Sequence, residues 1–287
     1  MVRELRAADM VGALALLRER PMQNVFLEHV VLQGTLGRIP GLFGWESGGR
    51  LRGLLVVGPQ GGTALEATQA HRDEVCSDFA AFAAELAMRP RHIIGHEDLT
   101  GAFWSAYEAK ADPVIWTRRE PFYALRELMP KSGNAEIQVA PAEASDLDEI
   151  VQNSRQQHTE DLKDDRYAAD PEGFVARHRA DLRAGRWVVA RSRGRIGFQV
   201  HVGARSGTAV QVGGVFTPLE LRNRGWAKRG MRALSARLLR THPAVCLFCD
   251  EENAAARRVY EHVGFEVAFH HQSWLLEHSP ADRSRWL

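Results

Sequence analysis

Cysteine is scarce in this sequence: Cys76, Cys246 and Cys249 are all it has among 287 residues. A small, odd set cannot build a disulfide framework, and a reducing, cytoplasmic setting is expected. Long apolar runs are missing as well. No stretch approaches the ~18 uncharged apolar residues that span a bilayer. The first residues, Met1 to Asp9, carry charges where a secretion signal has an apolar centre, so neither membrane span nor leader is expected. Charge of one sign is also lacking. The 37 Lys+Arg against 36 Asp+Glu leave a formal net charge of +1, without the basic excess of a nucleic-acid binder.

What is present is ordinary globular material, 45% hydrophobic and 25% charged, which excludes a disordered or fibrous chain. At about 150 residues per domain, the length suggests two domains. Pro, Gly, Ser and Asn concentrate at Met129–Ala135, the best linker in the chain. The expected division is 1–132 and 133–287.

After the linker, Glu136–Val139 reads as a strand, and Ser145 opens a helix to about Leu162. A second helix follows Asp170-Pro171, with Pro at its favoured first position. Strand-like runs follow at Trp187–Arg191, Gly197–Val202 and Thr208–Thr217. Next come a helix from about Gly225 to Leu239, a strand Val245–Cys249 and a helix Ala254–Val263. Strands near Glu266–His270 and Ser273–Leu276 close the chain. The first half gives a similar order: helices at Met10–Glu19 and Asn24–Leu32, then strands at Leu42–Glu46, Leu51–Val57 and Thr63–Glu66. A helix Asp73–Ala87, a strand Arg91–Gly95 and a helix Gly101–Lys110 complete it. Trp104-Ser-Ala-Tyr107-Glu108 echoes Arg257-Arg-Val-Tyr260-Glu261. The repeated order favours a degenerate tandem duplication over one domain with an unrelated cap.

Cys246-Leu-Phe-Cys249 is a CxxC. Zinc would need a second ligand pair, which the sequence does not supply, and the apolar run around it reads as a buried strand. No metal site is expected.

The stretch that carries chemistry is Gly213-Gly-Val-Phe-Thr-Pro-Leu-Glu-Leu-Arg222-Asn-Arg-Gly225-Trp-Ala227-Lys228. A strand delivers Arg222-x-x-Gly225-x-Ala227 into a helix start. There, unpaired N–H groups and the helix dipole favour an anion, and missing side chains let phosphates approach. Arg222, Arg224 and Lys228 add positive charge. A P-loop is excluded because Gly225 is not followed by Lys-Ser or Lys-Thr. A Rossmann fingerprint is excluded because no GxGxxG follows the first strand.

The stretch resembles the acetyl-CoA signature of the GNAT acetyltransferases, (Arg/Gln)-x-x-Gly-x-(Gly/Ala) between strand and helix. Asn223 stands where many relatives carry Gly, and Asn tolerates a positive φ. A second element, Asn253-Ala-Ala-Ala256-Arg-Arg-Val-Tyr260-Glu-His-Val-Gly264-Phe265, is similar to the family's Asn-x-x-Ala-x-x-x-Tyr-x-x-x-Gly-Phe. The resemblance covers roughly residues 136–276 and implies an α/β (α+β) fold. Two GNAT-like domains are then expected, each a mixed, largely antiparallel sheet flanked by helices. It implies transfer of an acetyl or acyl group from acetyl-CoA, as co-substrate, to a primary amine by direct attack in a ternary complex. Val215 and Thr217, with Phe216 between them, would hold the pantetheine arm and acetyl carbonyl through their backbone. Arg222, Asn223, Arg224, Gly225, Trp226, Ala227 and Lys228 would bind the pyrophosphate. Asn253 would contact the pantetheine, and Tyr260 would protonate the leaving thiolate. Spaced seven apart, Asn253 and Tyr260 would share a helix face.

The base is less defined. Where many relatives carry a strand Glu, this chain has Gln211. His201, Asp250, Glu251 and ordered water are the alternatives, as is a plain solvated strand face at His201. The acidic run through Asp161, Asp164 and Asp165 would suit a cationic acceptor or a solvated helix end. In the first half, Gln69–Glu74 occupies the position of the Arg222 loop with no Gly and two carboxylates, so that half is expected to bind no acetyl-CoA. The partners implied are acetyl-CoA and a small-molecule or peptide amine, with no nucleic acid or membrane, in a monomer or homodimer. A non-catalytic acyl-CoA-binding sensor is the alternative function.

Overall fold

The computed structural model describes residues 1–33, 41–58, 60–129, 137–163 and 165–277. Most of the expected linker, Pro130 to Ala135, and the start of the expected strand at Glu136 lie outside these residues, as does Asp164. The first half runs β1 (Val2–Glu4), α1 (Met10–Leu17), α2 (Val25–Leu32), β2 (Leu42–Ser47), β3 (Arg50–Val57) and β4 (Gly62–Ala67). It continues with α3 (Arg72–Ala84), β5 (His92–His96), α4 (Glu97–Tyr107) and β6 (Val114–Leu125). The second half runs β7 (Ala140–Pro141), α5 (Leu147–Gln157), a π-helical turn at His158–Leu162, α6 (Arg166–Ala169) and α7 (Pro171–Arg183). Then come β8 (Trp187–Ser192), β9 (Arg195–Arg205), β10 (Val210–Phe216), α8 (Trp226–Leu238), β11 (Val245–Phe248), α9 (Ala254–Val263) and β12 (Glu266–Leu276). The element order of the first half thus recurs in the second, as the duplication predicted.

Several boundaries differ from expectation for local reasons. The two closing strands are one continuous β12, because no turn residue separates His270 from Ser273. Residues 137–139 are not a strand; only Ala140–Pro141 pair, with Val189 and Val188. Ser145 sits inside a single 3-10 turn, and Asp146 caps α5 while its carboxylate accepts from the Glu143 N–H at 2.7 Å. Helix α4 begins at Glu97, where the His96 ring accepts from the Asp98 N–H at 3.3 Å.

The chain gathers into two compact units. Unit 1 comprises Met1–Phe122, Phe248–Asn253 and Val267–Leu287, and unit 2 comprises Tyr123–Leu247 and Ala254–Glu266. In unit 1 the strand order is β1-β2-β3-β4-β5-β12-β6. The last strand of the chain, β12, lies antiparallel beside β5, with Trp274 opposite Ile93. Phe79, Phe103, Tyr107 and Ile93 fill its core. In unit 2 the order is β11-β10-β9-β8-β7.

Each unit contains a parallel pair that parts almost at once. β4 and β5 are in register at Gly62↔His92 and Thr63↔Ile93, and β10 and β11 at Val210↔Val245 and Gln211↔Cys246. Beyond these residues the two strands of each pair share no register. Backbone N–H and C=O groups on the parted edges therefore need other partners. Helix α8 sits tightly on β9: a Cβ at Gly230 would meet the Phe198 ring at 2.5 Å, and one at Gly197 would meet the Trp226 ring at 2.9 Å. Those two glycines fix where the first turn of α8 lies.

Candidate acyl-donor and acceptor site

The loop between β10 and α8 adopts the geometry that its sequence requires. Asn223 has φ 59° and Gly225 φ 76°, both left-handed. Gly225 caps α8, so the N–H groups of Trp226, Ala227 and Lys228 open outward from the first turn. Arg229 closes back on this loop, donating from Nε to the Gly225 carbonyl at 3.3 Å. Among the described residues, neither Arg224 nor Lys228 has a carboxylate partner, leaving two cations beside the helix start.

Arg222 is arranged differently. Its Nε donates to the Thr217 carbonyl at 3.0 Å and its Nη2 to Glu160 at 2.7 Å, and its guanidinium lies 5.3 Å from the Phe216 ring centroid. The half-exposed side chain braces the loop against Thr217 and Glu160. Burial would raise the Glu160 carboxyl, but Gln156 and Arg222 outweigh it and hold the group below its ordinary range. Asp165 is likewise paired, with Arg155 at 2.8 Å. Asp165 of the acidic run, and Glu160 just before it, are thus committed to arginines.

On β10, Gly214 has φ 59° and lies where the register with β9 shifts between Gly213 and Phe216. This bulge lifts Val215 out of the ladder, and its carbonyl accepts from Gln157 Nε2 at 3.1 Å. Two residues on, the Thr217 hydroxyl is buried with no hydrogen-bond partner. An unpartnered buried hydroxyl costs about 1–3 kcal/mol.

A cavity of about 210 Å³ opens beside the bulge, lined by Gly214, Gln157, Trp187, His178, Asp181 and His201. His201 projects from β9 and packs edge-on against Trp187, with Nε2 3.2 Å from Asp181. Asp181 also takes Arg186 at 3.0 Å. Burial would raise its carboxyl, but His201 and Arg186 hold it below the ordinary range. His178, Asp181 and Trp187 were not singled out from the sequence. The signal was present: His178 and Asp181 fall one turn apart on the face of α7 that also buries Phe174.

Tyr260 lies on α9, buried, with its ring 5.8 Å from Tyr123 and 6.0 Å from Phe265. Unit 2 therefore contains Val215, Phe216, Thr217, residues 222–228, His201 and Tyr260. Asn253 and Asp250 belong to unit 1. Asn253 precedes α9 rather than lying on it, and its N–H donates to the Asp250 carbonyl at 3.0 Å. Asp250 pairs with Arg118 at 3.1 Å and caps the turn through the Glu252 N–H, while the Glu251 carboxylate faces Arg119 at 3.6 Å. Cys246 is buried in β11 with its thiol pushed up to about 12, the inert strand cysteine expected.

The corresponding loop of unit 1 is built otherwise. Gln69–His71 form a 3-10 turn, the first turn of α3 carries Asp73 and Glu74, and residues 62–84 contain no positive φ. The Ala67 carbonyl accepts from Arg20, and the Ala67 N–H donates to Glu66 at 2.7 Å. Asn24 completes this buried cluster, donating to Glu66 at 2.6 Å. The chain's own side chains satisfy the end of β4.

Residues 137–266 match the family model described as an acetyltransferase (GNAT) domain. Among solved structures, a GCN5-related N-acetyltransferase from Sphaerobacter thermophilus is similar, with TM-score 0.63 and 13% identity over 96% of this chain and 94% of that one. A GNAT-family acetyltransferase from Colwellia psychrerythraea gives TM-score 0.58 and 11% identity over 96% and 100%. A tandem GNAT protein from the clavulanic acid biosynthesis pathway, solved without AcCoA, gives 0.59 and 14% over 98% and 99%. At these identities the likeness is one of fold. No curated protein sequence matches the chain. Among the described residues, no helix is long and apolar enough to cross a membrane.

Proposed function

We propose that the chain, through residues 137–266 that match the acetyltransferase (GNAT) domain model, moves an acetyl group from acetyl-CoA to a primary amine by direct attack. The observation that carries the proposal is the loop before α8. Gly225 and Asn223 take the left-handed geometry that turns the first N–H groups of α8 toward an incoming anion. The pyrophosphate is assigned to the backbone of residues 225–228 with Arg224 and Lys228 beside it. Arg222 serves the same site by holding the loop through the Thr217 carbonyl. The pantetheine arm is assigned to the parted edge of β10, where the Thr217 hydroxyl awaits a partner. The thioester then lies near Val215, and the cavity at Gly214 receives the amine. Its volume, about 210 Å³, suits a small amine or one side chain of a peptide. Tyr260 is assigned to protonation of the thiolate.

No strand carboxylate stands at Gln211, so rate enhancement rests on positioning and on proton transfer from other groups. The reading is tested by following thiol release from acetyl-CoA with a panel of primary amines. Turnover with at least one amine is expected. Thermal stabilisation by acetyl-CoA with no turnover on any amine or peptide would instead identify a non-catalytic acyl-CoA sensor.

A further inference from the structure

The cavity wall holds one group whose protonation state is set by its own contacts. His178 Nδ1 lies 2.8 Å from the Phe174 carbonyl oxygen. A carbonyl only accepts, so Nδ1 carries the proton, and in the neutral ring the free lone pair is on Nε2. That atom has no hydrogen bond to the described residues. The ring itself is held on both faces: it stacks on Trp187 at 5.5 Å with 14° between planes, and lies 4.3 Å from Phe174. The residue keeps 9% exposure and lines the cavity shared with Gly214. A ring of fixed tautomer, clamped in orientation, thus faces the space next to Val215.

We infer that His178 Nε2 is the proton acceptor for the incoming amine. This rests on the acyl-transfer reading above. An ammonium entering the cavity loses one proton to Nε2. The freed lone pair attacks the thioester carbonyl, the C–N bond forms and the C–S bond breaks. The second nitrogen proton is matched by one delivered to the thiolate, assigned to Tyr260, and His178 returns its proton to solvent. One proton is released per turnover.

The groups facing His178 support the role. The Phe174 carbonyl and Asp181, both on the same helix, favour its charged form, while His201 on β9 and Arg177 oppose it; His158 after α5 borders the same cavity. Burial is the largest influence and keeps the imidazole below its ordinary range. The ring is therefore neutral and able to accept at pH 7. His201 is less suited, because its Nε2 is turned to Asp181.

Two measurements on the full chain test the inference. In a 15N NMR titration, His178 is expected as the Nδ1–H tautomer, uncharged at pH 7. An Nε2–H tautomer, or an imidazolium at pH 7, would overturn the inference while leaving acyl transfer intact. The second is kinetic. His178→Asn keeps a donor for the Phe174 carbonyl but has no proton-accepting nitrogen. With ethylamine, benzylamine, tyramine and glycinamide as acceptors, it should lower kcat by on the order of 10²- to 10³-fold with KM for acetyl-CoA unchanged. The deficit should shrink with hydroxylamine, which is already unprotonated at neutral pH. An unchanged kcat, or an equal deficit with hydroxylamine, would reduce His178 to a packing residue. If the wild-type chain transferred acetyl to none of these amines, the acyl-transfer reading would fall, and this inference with it.

Discussion

At the residue scale, two positions carry the proposed site for different physical reasons. Gly225 is needed for its backbone: at φ 76° an alanine would cost about 1–2 kcal/mol, and a glutamate would add a carboxylate where the proposal places the pyrophosphate. Gly225→Glu is therefore expected to abolish acetyl-CoA binding by calorimetry, and Gly225→Ala to weaken it. Tyr260 is assigned a role for its hydroxyl alone. Tyr260→Phe should lower turnover by on the order of 10²-fold with acetyl-CoA affinity intact; lost affinity would make the ring a packing residue. The turn before α8 and the helix that bears Tyr260 were legible in the sequence because each is set by short-range spacing; the chemical roles given to them are the proposal's. The actual posture of Arg222 was not legible, because its partner Glu160 is 62 positions away.

Elements come next. Helix α8 delivers the proposed anion site only if its first turn is seated, and Gly230 packs closely against Phe198. Gly230→Val should destabilise the chain by about 1–3 kcal/mol through overpacking, seen as a lower Tm and weaker acetyl-CoA binding together. In unit 1, the strand β6 carries Glu120, whose carboxyl is pushed up to about 7 by burial, against the opposing pull of Ser273 and Arg118. The folded state keeps its proton while the unfolded chain, near 4.5, gives it up. Stability is therefore lost as pH rises from about 4.5 to 7, and Glu120→Gln should flatten that part of a denaturation-versus-pH curve. Equal slopes for the two proteins would show that Glu120 is ionised in the fold. β6 itself escaped sequence reading, since Arg118-Arg119-Glu120-Pro121 interrupts its apolar pattern. Helices α8 and α9 were placed within a residue or two because caps and periodicity are local signals.

For the whole molecule, element order told of duplication, while pairing did not. Nothing in Glu266–Leu276 says that this strand lies beside β5 in unit 1, because strand pairing is set by contacts far apart in sequence. The same holds for the cavity, whose wall joins α5, α7, β8, β9 and β10. The two units share a parting parallel pair and differ in the loop and helix start beyond it. Unit 2 offers an open helix start, and unit 1 fills the end of β4 with Arg20, Glu66 and Asn24. One duplicated plan thus yields one proposed donor site. Calorimetric titration of the full chain with acetyl-CoA tests this most directly. One molecule should bind per chain, and Gly225→Glu should remove it. Two molecules per chain, or binding that survives Gly225→Glu, would contradict a single donor site at the start of α8.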